Sequence, residues 1–373
     1  MLAVLRDARR GRGLTRTATF CLVAPRGKVR LTNGMRVERL DPANSPAIRG
    51  CKAAWDAALD IDDPDGPRMP ERVLGAWLRL GFVGDPAETW FMPGDGAASV
   101  PGWYRLELPD LENRDHAGLL VVVDPAMRRR GLGRALLAHA AAQAAADERT
   151  IIWGEVRDGS AGDAFATAIG AKPGMAAAVR RLDLRTAPAG KFSRLRAEAA
   201  EAAAGYSLVR WAGLTPPEYQ GPLAGVLNAY ADAPHDEGYE AESWDAGRVR
   251  ERGGVSLQLM GVRSYTVAAL HDASSEMVGM TQLSVSPDAP QWGHQGLTAV
   301  VRQHRGHRLG LLLKTAMLDW LAEAEPAIER IETGNAAAND HMIAVNDVLG
   351  FELALPLAHT VEVDVAAALS AAT

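Results

Sequence analysis

The feature that most limits how this chain can fold is an internal echo. An apolar run, LLVVVDPA at 119–126, passes into MRRRGLGRALLAHAAAQ at 127–143, and VVRQHRGHRLGLLLK at 300–314 repeats that passage. Aligning GLG at 131–133 with RLG at 308–310 gives an offset of 177 residues. A long offset shared by a strand and the helix after it means a duplicated mixed α/β unit rather than one large core. The length of 373 residues agrees, since single cores usually stop growing at roughly 250 to 300 residues.

Periodicity places the elements around that echo. Strands are expected near 36–41, 87–92, 101–108, 117–123, 150–156 and 176–184, with helices near 46–59, 70–81, 131–147 and 160–169. The order returns from Tyr206, where Thr215 can cap a helix with Pro216 in its first turn. Strands follow near 264–271, 276–285, 296–301, 329–334 and 351–364, with helices at 308–324 and 339–349. The expected domains are 35–184 and 205–373, joined by a linker helix at 185–204. Residues 1–34 hold seven arginines and Lys28 against Asp7 alone, and read as a disordered or mis-assigned N-terminal extension.

Charge and cysteine content narrow the chemistry. A formal charge of -6 lacks the concentrated basic surface that nucleic-acid binding requires. The longest dense apolar run, GLLVVV at 118–123, is far short of the ~18 residues of a membrane span. Cys21 and Cys51 allow one bridge at most and show no metal-ligand spacing, so the expected compartment is the reducing cytosol and no metal is expected. HExxH, GxSxG and Walker motifs are absent from the sequence. A dinucleotide fingerprint fails because Leu136 stands where its third glycine belongs.

The turn at 128–134 suits an anion. Gly131 and Gly133 let backbone N–H groups approach a ligand at the mouth of a helix, where the dipole favours negative charge. Arg128, Arg129, Arg130 and Arg134 surround Leu132 with cations. These residues resemble the signature of the GNAT superfamily of acyl-CoA-dependent N-acetyltransferases: Gln or Arg, two residues, Gly, one residue, then Gly or Ala, opening the helix after the fourth strand. Arg128, Gly131 and Gly133 match it. In the second unit Arg305 and Gly310 match, while Arg308 stands at the central glycine and Gly306 is displaced. Asn339, Asn346, Gly350 and Phe351 resemble the family's closing helix and Gly-Phe turn.

The resemblance, to tandem members such as mycothiol synthases and antibiotic-modifying acetyltransferases, implies acetyl-CoA as co-substrate and a small-molecule primary amine as acceptor, attacked directly in a ternary complex. It implies two mixed, mostly antiparallel sheets flanked by helices, and a protein acting as monomer or homodimer. Pantetheine would lie along Leu120 to Val123, with Val121 and Val123 as contacts, and along Thr298 to Val300 in the second unit. A general base is expected near the start of strand four, where His116 follows Asp115 and His294 precedes Gln295. The family's thiolate-protonating tyrosine is missing: its places hold Ala166 and Asn346. A non-catalytic acyl-CoA sensor or scaffold is the alternative. Trp103, Tyr104, Glu107 and Trp153 are candidate cleft residues, and His304 and His307 candidate phosphate contacts.

Overall fold

The computed structural model describes residues 28–30, 35–41, 43–80, 86–230, 238–251 and 256–371. The first unit contains β1 (Lys28–Arg30), β2 (Arg36–Arg39), α1 (Ser45–Asp62), α2 (Glu71–Leu80), β3 (Ala87–Met92), β4 (Gly102–Glu107), β5 (His116–Val123), α3 (Leu132–Ala146), β6 (Ile151–Arg157), α4 (Ala161–Ala168) and β7 (Lys172–Asp183). The connecting helix α5 (Lys191–Ala202) leads to β8 (Tyr206–Ala212), α6 (Pro217–Ala229) and the short helices α7 (Ala246–Arg248) and α8 (Ser256–Leu259). Then come β9 (Arg263–His271), β10 (Glu276–Val285), β11 (Trp292–Val300), α9 (Leu309–Ala324), β12 (Arg330–Ala336), α10 (Asp340–Leu349), β13 (Glu352–Leu353), β14 (Ala358–Asp364) and α11 (Val365–Ser370).

The expected alternation is therefore present, with three corrections. Lys28–Arg30 pairs antiparallel with β2, so an element lies inside the segment expected to add none; the remainder of 1–34, including Cys21, lies outside the described residues. Pro216, not Thr215, occupies the α6 cap, with Pro217 in the first turn and no side-chain cap bond. The strand expected at 351–364 is broken between β13 and β14.

Fourteen strands among the described residues join in one sheet, ordered β1-β2-β3-β4-β5-β6-β14-β7-β12-β11-β10-β9-β8, with β13 beside β7. The two units exchange their last strands. β14, from the C-terminus, pairs antiparallel with β6 from Ala358↔Arg157 to Asp364↔Ile151. β7, from the first half, pairs antiparallel with β12 from Arg330↔Asp183 to Ala336↔Ala177. The cores follow the exchange: Val363, Val365 and Ala368 pack with Leu136 and Ala140 of α3, while Leu182 packs with Leu309 and Met317 of α9. Polar ties add to this seam. Asn113 and Glu240 bond reciprocally at 2.8–2.9 Å, and Arg248 meets Glu112 at 2.8 Å.

Cys51 is buried on the inner face of α1, and burial pushes its thiol up to about 12, which makes it unreactive. No helix among the described residues is long and apolar enough to cross a membrane.

Candidate active site

Two parallel strand pairs begin together and then part. β5 and β6 pair at His116↔Ile151, Ala117↔Ile152 and Gly118↔Trp153, and no further. β11 and β12 pair from Trp292↔Arg330 to Gln295↔Thr333. Beyond those points the gap-facing backbone groups of Leu119–Val123 and Gly296–Val300 have no ladder partner across the gap, so an extended ligand can supply one. Half-buried Leu119, Val121, Val123, Leu132 and Phe165 pack against the core beneath the first gap.

Both gaps end at a helix N-terminus of the same design. Gly131 caps α3 and Arg308 caps α9, each left-handed and neither providing a side-chain cap bond, so the first-turn N–H groups stay available to an anion. Two residues earlier the backbone is left-handed again, at Arg129 (φ 63°) and Gly306 (φ 89°). Gly131 has φ 82° and Arg308 φ 54°. The units thus share one loop conformation but place the glycine at opposite ends of it. The displaced glycine of the second unit is a swap of which residue bears the left-handed strain, about 1–2 kcal/mol for a non-glycine, not the loss of the loop.

The arginines divide by role. Arg128 and Arg305 fold back on their strands, donating through Nε to Val123 O at 3.4 Å and Val300 O at 3.0 Å. Arg129 and Arg130 are exposed at the first loop, as Gly306 and Arg308 are at the second. Arg134 departs from the expectation of a phosphate contact: its guanidinium donates to Ala371 O at 2.6 Å and Ala168 O at 3.4 Å, taking up carbonyls left free at two helix ends. Gly133 lies against Phe165 and Gly310 near Val345. Of the two histidines, His304 is held by Tyr206 OH at 3.0 Å, while His307 is exposed.

These donors fit a diphosphate at each loop. The expected result for Gly131→Glu is at least a tenfold loss of acetyl-CoA affinity at the first unit. Nothing lies within 4 Å of a Cβ at Gly131, and Arg308 shows that the backbone tolerates a side chain, so charge repulsion carries the effect. Titration calorimetry showing unchanged binding stoichiometry and affinity would remove this loop from the cofactor site.

The chemistry of the two gaps differs. Gly102 pairs with Val123 and Gly279 with Val300, which registers one unit on the other. Counting from there, Glu107, Gly118 and Trp153 of the first unit correspond to Ser284, His294 and Glu332 of the second, with one residue added by a bulge in β11 opposite Gln282. In the first unit this position is filled: a Cβ on Gly118 would meet Glu107 and Trp153 side-chain atoms at 3.1–3.3 Å. In the second it opens into a cleft of about 280 Å³ that His294, Glu332 and Gly334 line.

His294 has a face open to the cleft, but crowding strips enough solvent to lower its pKa, with the Glu332 carboxylate opposing that shift. Glu332 accepts from Arg181 at 2.8 Å, and Arg181 reaches Asp63 at 2.5 Å. Desolvation pulls the Arg181 pKa down, but hydrogen bonds to Asp63 and Glu332 outweigh it, so the guanidinium holds its proton more firmly than usual. Arg181 belongs to the exchanged β7, so each half of the chain contributes to the centre.

His116 is placed elsewhere. It pairs with Ile151 two residues before Gly118, at the closed end of β5–β6, and its Nδ1 lies 2.7 Å from Asp115. That bond to His116 holds the Asp115 carboxyl below its usual range. Trp103 and Tyr104 are fully buried: Trp103 stacks on Trp55, and Tyr104 OH lies 2.7 Å from His139 Nδ1, so they are packing residues rather than cleft residues. Asn346 is buried too; it accepts from Lys314 Nζ at 2.7 Å and donates to Asn335 at 2.7 Å. Burial brings the Lys314 ammonium down to about 7. No group of three His, Cys, Asp or Glu side chains among the described residues is arranged to hold a metal ion.

The model of the Acetyltransferase (GNAT) family matches residues 55–164 and 225–351, more than half of the chain, and the protein belongs to that family. Its fold is similar to that of a tandem GNAT protein from the clavulanic acid biosynthesis pathway, at 29% identity and a TM-score of 0.73, covering 88% of this chain and 98% of that one. A GCN5-related N-acetyltransferase from Sphaerobacter thermophilus shares 17% identity with a TM-score of 0.60, covering 88% and 95%. A putative acetyltransferase from Pyrococcus horikoshii shares 12% identity with a TM-score of 0.51, covering 94% and 93%. No curated protein sequence matches.

Proposed function

We propose that the protein transfers an acetyl group from acetyl-CoA to a primary amine of a small molecule, with the second unit catalysing and the first holding cofactor without turnover. One observation carries the division: the same sheet position holds His294 and Glu332 beside an open cleft in one unit, and Gly118 blocked by Glu107 and Trp153 in the other.

Acetyl-CoA supplies the activated acyl thioester. The α9 N-terminus with Arg308 fixes the diphosphate, and the unpaired edge of β11 orients the arm. His294, with its lowered pKa, is neutral at pH 7 and takes the proton of the attacking amine; Glu332 favours the imidazolium that forms. The substrate nitrogen bonds to the acyl carbon as the carbon–sulfur bond breaks, and water returns a proton to the departing sulfur. The loop of the first unit keeps the binding half of this apparatus alone, so sensing or scaffolding is its contribution. A buried unbridged Cys51 accords with work in the reducing cytosol.

The test is CoA release across a panel of primary amines as a function of pH. The rate should rise through an acid limb centred below the ordinary imidazole value of ~6.5. Glu332→Gln removes the charge that holds the His294 pKa up, so its limb should move to lower pH, with a reduced plateau. No release with any amine, or a limb that moves upward in Glu332→Gln, would overturn the assignment.

A further inference from the structure

We propose that the cleft selects acceptors with two cationic groups, the reacting amine at His294 and a second ammonium at Glu155. The inference rests on the reading of His294 as the base, and deepens it to a substrate class: linear diamines and polyamines.

Glu155 lines the same cleft as His294 and Glu332, but comes from β6 of the first unit. The two carboxylates are not equivalent. Glu332 is paired with Arg181, whereas the Glu155 carboxylate has no hydrogen-bonding or ion-pair partner among the described residues, only the field of Arg157. Loss of solvation raises the Glu155 pKa, and Arg157 opposes that shift. A carboxylate that faces the cleft with no cation bonded to it, in surroundings that disfavour its charge, favours an incoming cation.

The floor between the two ends fixes the shape. Ala177, Ala178, Gly334 and Ala358 line it, and a Cβ on Gly334 would meet nothing within 4 Å, so this part of the cleft is uncharged and open. β6 lies four strands from β11, which carries His294, through β14, β7 and β12, which is roughly 19 Å between backbones at the usual strand spacing. Side chains reaching inward from both ends shorten that span. A flexible methylene chain bearing an ammonium at each end crosses such a floor without needing a polar contact along it, whereas an amine with an anionic far end meets Glu155 unfavourably.

The experiment is titration calorimetry on the full chain saturated with CoA, using α,ω-diaminoalkanes of about four to ten carbons, the monoamines of equal length, and ω-amino acids. Diamines should bind at least tenfold more tightly than monoamines, and ω-amino acids most weakly. Glu155→Gln should erase the diamine advantage, and Glu155→Asp should retain part of it. Equal affinities for diamine and monoamine, or a diamine advantage unchanged in Glu155→Gln, overturns the proposal. Parallel CoA-release assays separate the two readings. Glu155-dependent diamine binding without CoA release leaves this site standing and removes the transfer reading; CoA release indifferent to the second charge does the reverse.

Discussion

Expressed separately, residues 1–204 and residues 205–373 should each fail to yield a soluble, folded monomer, while their coexpression should restore a one-to-one complex. The exchanged strands are the reason. Without β14 the first half exposes the whole β6 edge, seven residue pairs long, and loses Val363, Val365 and Ala368 from the α3 core. Without β7 the second half loses seven pairs along β12, together with Leu182. A net loss of about 1 kcal/mol per hydrogen bond, with the apolar burial added, consumes most of the 5–15 kcal/mol that holds a domain together. Nor can β7 simply replace β14 beside β6. β14 runs antiparallel to both, so β7 is parallel to β6 and would have to reverse. An exposed edge of this length is also an aggregation site. Size-exclusion chromatography with thermal unfolding decides the matter: a monomeric half with a sharp transition would show that the exchange is dispensable.

His294→Ala should lower kcat/KM for amine acetylation by 10²- to 10⁴-fold, the ordinary range for a lost general base, or about 3–5 kcal/mol of barrier. Acetyl-CoA affinity should hardly change, because the phosphate loop begins at Arg305, beyond the far end of β11. His116→Ala should leave turnover near that of the wild type, since its ring is tied to Asp115 at the closed end of the other strand pair. Stopped-time CoA-thiol assays on the two variants distinguish the units. Retention of more than a third of the activity in His294→Ala, or its loss in His116→Ala, would move catalysis to the first unit.

Local elements were legible because their patterns are local. The β5-to-α3 passage, its second copy and most strand boundaries follow from periodicity and glycine placement, as does the turn that opens α3. Partner choice between strands was not. Nothing in Lys172–Asp183 by itself says that it leaves β6 for β12, because such a pairing depends on which edge is free once both sheets exist. β7 also starts four residues before the expected 176, where Lys172 and Pro173 pair with Glu362 and Val361 of β14. The centre was half-visible for the same reason. His294 stood out beside its own strand, but Glu332, Arg181 and Glu155 come from three other strands and are joined to it only through the sheet. A helical lysine amid leucines, Lys314 in LLLKT, was the available sign of a buried cation, and its neutral partner Asn346 lies over thirty residues away. Arg134 looked like its neighbours in sequence and was claimed by a C-terminal carbonyl that no local pattern reveals.

The interlocked termini bear on how such a gene can change over generations. Once each copy completes the other, deleting the first would strip the second of a strand and of Arg181, so under the proposed division of labour a copy without turnover is retained by architecture whatever its own chemistry has become. Its blocked pocket is then free to drift, while its edge strands remain under the same selection as the enzyme they complete.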